Sequence, residues 1–544
     1  MMATNETSPR RAGLSADKLE LLRRRLGGDA TSARAHVPIP RCAGAGPAYP
    51  MSFAQERMWF VAQYDPGNPM YNIAGAALVR ADLDLAALER ALALTFQRHE
   101  GLRTVFRVEE GELRQVVLDP APPRVEVRDV RDRTAPGGVV LQERLLEVVA
   151  EEGARPFELA QGPLLRMALL RVSDERYAQV VTVHHIVADG WSWQVLAHEI
   201  DTFYGLIASG REPELPEPRI RYADYAVWQR GWLTGAELER QVAYWRGTLA
   251  GAPALDLPTD RPRPAQQSFR GRLHGFALPL PLVEALRRVG REEAASLNMV
   301  ILAAFTALLA RWSGQDDLVV GTILANRNRE ELEGVVGFFA NTAALRLRLE
   351  GGPTFRQAVR VARRAVLDAD AHQELPFEKL VEELGVERDP SRHPLFQALY
   401  FHHATVPSHD TADELEAFLD GQPLAEESPL AAIDTGSAKF DLMAATIDMK
   451  DGVVTGVLEY AADLFDAETI DRFARQLTKL LEGAAANPDR PIAELPLMDG
   501  EERRRVLQAW STSPRRARPF AALPARWERR VADDPGAPAL RFAG

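Results

Sequence analysis

The chain has 544 residues, of which 46% are hydrophobic and 26% charged, with a formal net charge of −12 and one cysteine, Cys42. That length exceeds a single ordinary core and predicts two or more packed units. No apolar run approaches the roughly 18 residues that span a bilayer, residues 1–12 lack the apolar stretch of a secretory signal, and an acidic whole whose nearest candidates for a basic stripe are short arginine runs at residues 23–25 and 515–518 argues against a nucleic-acid surface.

One cysteine excludes an internal disulfide and fits a reducing, cytoplasmic setting. In chain order, residues 15–26 read as a short amphipathic helix with Ser15 at its N-cap and Gly27-Gly28 at its stop. Residues 29–50 carry Pro, Gly and Ala without periodicity and read as a linker. Ser52-Phe53-Ala54-Gln55 fits a capping box. Residues 85–99 predict a helix and 102–108 a strand. A break rich in Gly, Pro and charge falls at 208–218, after which a second alternating series begins. It includes an apolar helix at 299–312 and a strand at 317–324. Alternation on this scale predicts two α/β lobes. Beyond residue 496 the pattern weakens into a polar linker at 511–521.

The segment Val181-Thr182-Val183-His184-His185-Ile186-Val187-Ala188-Asp189-Gly190-Trp191 carries the chemistry. Residues 179–186 are β-rich, and Leu196, Ile200, Phe203 and Ile207 recur at helical spacing. The motif therefore sits where a buried strand turns into a helix. Neighbouring strand side chains point to opposite faces, so one histidine can face substrate while the other packs, and the pair cannot share a metal. Asp189 can cap the helix or pair with a buried arginine. Gly190 allows close backbone approach and a positive φ. Free N–H groups at the helix start are placed to face a developing oxyanion. A lone strand histidine is usually a satisfied core residue; two followed by Asp-Gly at such a turn argue for a site.

These residues resemble the HHxxxDG signature of nonribosomal peptide synthetase condensation domains, whose fold is like chloramphenicol acetyltransferase. The signature is shared with epimerization, cyclization-related and acyltransferase families; other segments narrow it. Ser52-Phe53-Ala54-Gln55-Glu56-Arg57-Met58-Trp59 resembles the first condensation motif and Arg98-His99-Glu100-Gly101-Leu102-Arg103-Thr104 the second. Tyr222-Ala223-Asp224-Tyr225-Ala226-Val227-Trp228-Gln229-Arg230 is similar to the fourth. Gly337-Phe338-Phe339-Ala340-Asn341-Thr342 resembles the fifth, with Ala340 where valine is usual. His372-Gln373-Glu374-Leu375-Pro376-Phe377-Glu378 resembles the sixth. Arg388-Asp389-Pro390-Ser391-Arg392-His393-Pro394-Leu395-Phe396-Gln397 resembles the seventh, with His393 in place of the usual Asn. No Glu-bearing second motif of an epimerization domain is found.

The resemblance implies an α/β fold of two lobes, residues 47–215 and 216–495, set in a V around a central tunnel. Residues 1–46 form an N-terminal helix and linker, and 496–544 a linker and the start of an adenylation domain, similar through residues 527–535. It implies an acyltransferase that makes a peptide bond between two carrier-bound substrates, most like domains taking an L-aminoacyl donor. His185 would be catalytic, with His184, Asp189 and Gly190 completing the motif. Trp191 would pack in support, and Arg57 and Arg270 are the candidates for the arginine paired with Asp189. The chain itself would bind no cofactor or metal, because substrates arrive on the phosphopantetheine of donor and acceptor carrier proteins. Its partners would be those carriers and a downstream adenylation domain, with no nucleic acid or membrane. A starter domain acylating the first amino acid, or a non-catalytic carrier-binding module of the same fold, are the alternatives. Cys42, in a linker without a base, is not expected to be a catalytic thiol.

Overall fold

The computed structural model describes residues 38–42, 46–131, 142–174, 176–386, 389–403, 436–449, 452–510 and 523–538. The predicted helix at 15–26, both arginine runs and Arg388 of the seventh motif lie outside them.

In the first half, strands β1 (Ala48–Pro50), β2 (Asn72–Arg80), β3 (Thr104–Glu109), β4 (Glu112–Val117), β5 (Glu126–Asp129), β6 (Leu165–Arg171) and β7 (Arg176–His184) build two sheets. Their orders are β1-β4-β3 and β2-β7-β6-β5. Strand β6 is buried on both faces, which its apolar run anticipates. Met167 and Leu169 pack with Leu88, Leu92 and Phe96 of helix Leu85–Arg98 and with Leu196 and Ile200 of helix Gly190–Ala208. Ala168 and Leu170 pack instead with Val148 and Val149 of helix Gln142–Ala154. Period-two alternation thus gives one strand two cores.

The second half holds a six-stranded sheet, β10-β9-β11-β12-β13-β8. Its strands are β8 (Gly271–Leu278), β9 (Asp317–Leu324), β10 (Asn341–Arg348), β11 (Ala398–His403), β12 (Leu442–Asp448) and β13 (Val454–Ala461). β11 runs parallel to both β9 and β12, and the remaining pairs are antiparallel. Helix Leu297–Ser313 is buried along most of its length in the main core. Ser296 caps its start, and Gly314 closes it in the left-handed region at φ 72°. No single helix among the described residues is long and apolar enough to cross a membrane.

The expected elements shift by a few residues. The helix begins at Leu297 because Ser296 provides the cap, two residues before the apolar run starts. The strand expected from 102 begins at Thr104: a 3-10 turn, Glu100–Arg103, intervenes and buries Leu102 completely. The Ser52 capping box forms, with Gln55 N–H donating to Ser52 Oγ and Ser52 N–H donating to Gln55 Oε1.

The two halves interlock through residues 325–340, between β9 and β10. Val336 joins the first-half core, while Leu332, Val335 and Phe339 pack with Ile39, Tyr222 and Tyr225. Within the large sheet, Gly456 lies directly opposite Phe276. A Cβ at 456 would stand 2.2 Å from Phe276 Cζ, so the ring covers the glycine. Gly456→Val should therefore destabilise by about 1–3 kcal/mol through overpacking, read as a lower urea midpoint at unchanged slope.

Candidate active site

Strand β7 ends at His184, whose N–H donates to Leu164 O at 2.9 Å. His185 is already in the turn, although its N–H still donates to Tyr71 O at 2.8 Å. The two rings meet different neighbours, and His185 does so from the turn rather than from the strand position expected. His184 is 6% exposed and lies near the rings of Phe157 and Tyr71, at centroid distances of 6.1 and 6.5 Å. Its Nδ1 accepts from Ile186 N–H at 3.1 Å. Burial, then the neighbouring His185, push its pKa down to about 3.

His185 is half-buried, edge-on to Phe338 with ring centroids 4.7 Å apart. Its Nδ1 lies 2.8 Å from Ala188 O. A carbonyl oxygen can only accept, so Nδ1 carries the proton and the neutral ring keeps its lone pair at Nε2. Burial and the Lys439 ammonium push the pKa down to about 4 against the opposing pull of Asp189. At neutral pH His185 is a base of fixed tautomer.

Asp189 is the N-cap of helix Gly190–Ala208 and is 1% exposed. Its Oδ1 accepts from Ser192 N–H (2.8 Å), Ser192 Oγ (2.7 Å) and Arg327 Nη2 (3.1 Å). Its Oδ2 accepts from Phe339 N–H (3.0 Å) and Ala340 N–H (3.2 Å). Capping and ion pairing, posed as alternatives, are therefore both present. The partner arginine is Arg327, which is neither Arg57 nor Arg270. Arg57 pairs with Glu378 at 2.7 Å, and Arg270 pairs with Asp463 at 2.5 Å. Each sits beside a nearer carboxylate, whereas Arg327, beyond the end of β9, enters the buried space under the motif. Its Nη1 is held by Leu332 O and Val335 O, and its guanidinium lies 4.2 Å from the Phe339 ring centroid. No motif points to Arg327; its only signal in the sequence is the polar run Asn326-Arg327-Asn328-Arg329 following a buried strand.

Other motif residues converge on the same loop. Gln55 Nε2 reaches Ile186 O at 3.4 Å. Tyr222 Oη lies 2.9 Å from Ser52 Oγ and donates to Phe338 O at 2.6 Å. A Cβ at Gly337 would stand 1.9 Å from the Tyr222 ring, which explains the glycine. Asn341 spans the fifth and sixth motifs: its Nδ2 donates to Gln373 O and Leu375 O, and its Oδ1 accepts from Phe377 N–H. His393 of the seventh stacks on Phe377, and His372 stacks on Tyr244 at 3.7 Å. His99 Nε2 is 2.6 Å from Glu199 Oε2, tying the second motif to the helix that follows Asp189.

Three expectations change. Gly190 has no positive φ; its missing side chain instead admits His403, whose Cε1 would lie 3.3 Å from a Cβ there. The helix-start amides are partly engaged, because Ser192 N–H goes to Asp189 Oδ1 and Trp193 N–H to Asp189 O. Trp191 is 41% exposed rather than core, although its Nε1 donates to Glu333 O at 2.9 Å. Trp193 packs over Gly75, and Trp228 stacks on Trp232. Burial, then Asp224, raises the pKa of the Cys42 thiol, opposite to a reactive thiolate. Among the described residues no three His, Cys, Asp or Glu are arranged to hold a metal ion. A cavity of about 240 Å³ beside Gly101 and Val336 is lined by Arg41, Arg98 and Arg221. Each guanidinium is already engaged, by Pro218 O, Glu199 and Asp224.

The family model described as "Condensation domain" matches residues 47–507. A component of the linear gramicidin synthase of Brevibacillus parabrevis is 42% identical over 510 residues, covering 92% of this chain and 6% of that protein. The chain therefore spans a small fraction of that relative's length. The X-domain from teicoplanin biosynthesis superposes with a TM-score of 0.70 at 29% identity, over 84% of this chain and 99% of that one. The first condensation domain of the calcium-dependent antibiotic synthetase, solved in complex with a substrate analogue, has the same mixed α/β fold, with a TM-score of 0.69 at 20% identity over 84% of this chain and 100% of that one.

Arg327→Met, which strands a buried carboxylate, should destabilise by about 3–5 kcal/mol in urea denaturation. Acid should act through the histidines. Burial lowers His184 and His393 to about 3, and His185 to about 4, from an ordinary 6.5. The unfolded chain therefore binds more protons below pH 6.5. The stability these neutral rings contribute is complete above pH 6.5 and lost as the pH falls toward 3, so the urea midpoint should drop between pH 7.5 and 4.5.

Proposed function

The chain belongs to the condensation-domain family, and we propose on that basis that it forms the amide bond between a donor acyl or peptidyl thioester on one carrier protein and the amino group of an acceptor aminoacyl thioester on another. The observation that carries the reading is the His185 tautomer: Nδ1–H donated to Ala188 O leaves Nε2 as acceptor for an amine proton. In this proposal the donor is an L-aminoacyl group. Residues 47–215 and 216–495 are the two lobes of a V, fused to carriers and an adenylation domain in a longer synthetase. Contacts that join both halves around the motif, Arg327 to Asp189 and Gly337 N–H to Ser192 Oγ, support a reaction passage between lobes. A cytoplasmic location is part of the proposal, supported by the single cysteine. So are the binding of no cofactor by this chain and the delivery of both substrates on carrier phosphopantetheine.

The thioester is already activated, and a free α-amino group titrates near 7.7–8.0. Holding the reactants together is worth roughly 7–11 kcal/mol, against about 10²–10⁴-fold for a positioned proton transfer. Positioning is the larger contribution. His185 orients the nitrogen and takes its proton as the C–N bond forms and the C–S bond breaks; the departing sulfur receives the proton.

His185→Ala should therefore leave both carriers loaded and bound but reduce product on intact-carrier mass spectrometry by at least about 10²-fold. Undiminished product would remove His185 from the reaction. Acyl-CoA supplied beside the L-aminoacyl carrier should go unused; its consumption would mark a starter domain instead.

A further inference from the structure

One half-buried cation near the histidine pair has no role so far in the reaction proposed for His185. Lys439 belongs to the second half, shortly before β12, and its N–H donates to Glu459 Oε1 at 3.1 Å. Its side chain crosses to the first half, where Nζ lies 4.5 Å from the centroid of the Tyr71 ring. Tyr71 ends the Pro69–Tyr71 turn, and its carbonyl receives the His185 N–H at 2.8 Å. The residue that anchors the His185 backbone is therefore also the residue beneath the ammonium.

The geometry points to Lys439 as a positioning residue for His185: its ammonium, held by the second half over a ring whose own carbonyl anchors the histidine, opposes positive charge on the imidazole. This rests on the role proposed for His185 and deepens it. A proton taken from the attacking amine makes an imidazolium repelled by that ammonium, which favours handing the proton on to the departing thiolate. The nitrogen loses one proton, the sulfur gains it, and His185 returns to its starting form.

The groups around the pair are few and of mixed sign. Lys439 is flanked by Arg57, a like charge, and by Glu459, an opposite one. His185 is flanked by Lys439 and, with opposing effect, Asp189; His184 also feels Lys439. Burial, with Arg57 adding to it, brings the Lys439 pKa down to about 8, so the ammonium persists at neutral pH and is lost just above it.

The test is a histidine titration of the full chain labelled with ¹⁵N-histidine, with the His185 signals identified by their loss in His185→Ala. With a pKa of about 4, roughly a tenth of His185 is protonated at pH 5. Lys439→Met should raise that fraction to about a half, a shift of about one pH unit. Lys439→Arg, which keeps the charge, should stay at the wild-type fraction. Lys439→Gln supplies the uncharged comparison where the methionine variant does not fold. An unchanged fraction in the uncharged variant, or an equal rise in Lys439→Arg, overturns the inference. Product formation is not the readout, so failure here is separate from failure of the His185→Ala assay.

Discussion

The buried Asp189 carboxylate organises the centre of this protein. Four N–H groups and one hydroxyl converge on its two oxygens. Two of those donors come from the Asp189 turn itself, and three come from the 325–340 segment of the other half. A buried ion pair of this kind contributes little net stability, because desolvation offsets most of the attraction. Its effect is geometric: the carboxylate is satisfied when the two halves sit in this register, which fixes where the segment bearing Phe338 lies relative to His185.

Most of the motif residues act in this way, as struts rather than reactants. Ser52, Gln55, Tyr222, Gly337 and Asn341 come from three separate stretches of the chain and hold the surrounding loops by hydrogen bonds or by making room for a ring. Their hydrogen bonds lie in a region shielded from water, where an unsatisfied partner is expensive and a satisfied network is rigid. In the proposed reaction the reactive element that remains is small: one imidazole whose Nδ1 is tied to Ala188 O and whose Nε2 is left as a base. Burial and a neighbouring ammonium keep that base uncharged well below neutrality.

Much of this is legible in the sequence wherever the determinant is local. The Ser52 cap, the helix through Leu297–Ser313, strand β9 and the strand-to-helix turn at His185 each follow from residues within one or two turns of chain. The exposure of Trp191 departs from expectation for the converse reason: burial of a helix-start side chain depends on what the distant Glu333 loop does above it.

The amino-acid order alone dictates the succession of strands and helices, the catalytic-type motif and where it falls, because periodicity, caps and turn residues act over a few positions. It took the docked halves to show that Arg327, and neither Arg57 nor Arg270, meets Asp189, and that Lys439 lies over Tyr71. Which of many arginines reaches a given carboxylate depends on how two separate sheets come together. That docking is set by the shape and hydrogen-bonding of surfaces assembled from residues distant in the chain, which no local pattern encodes.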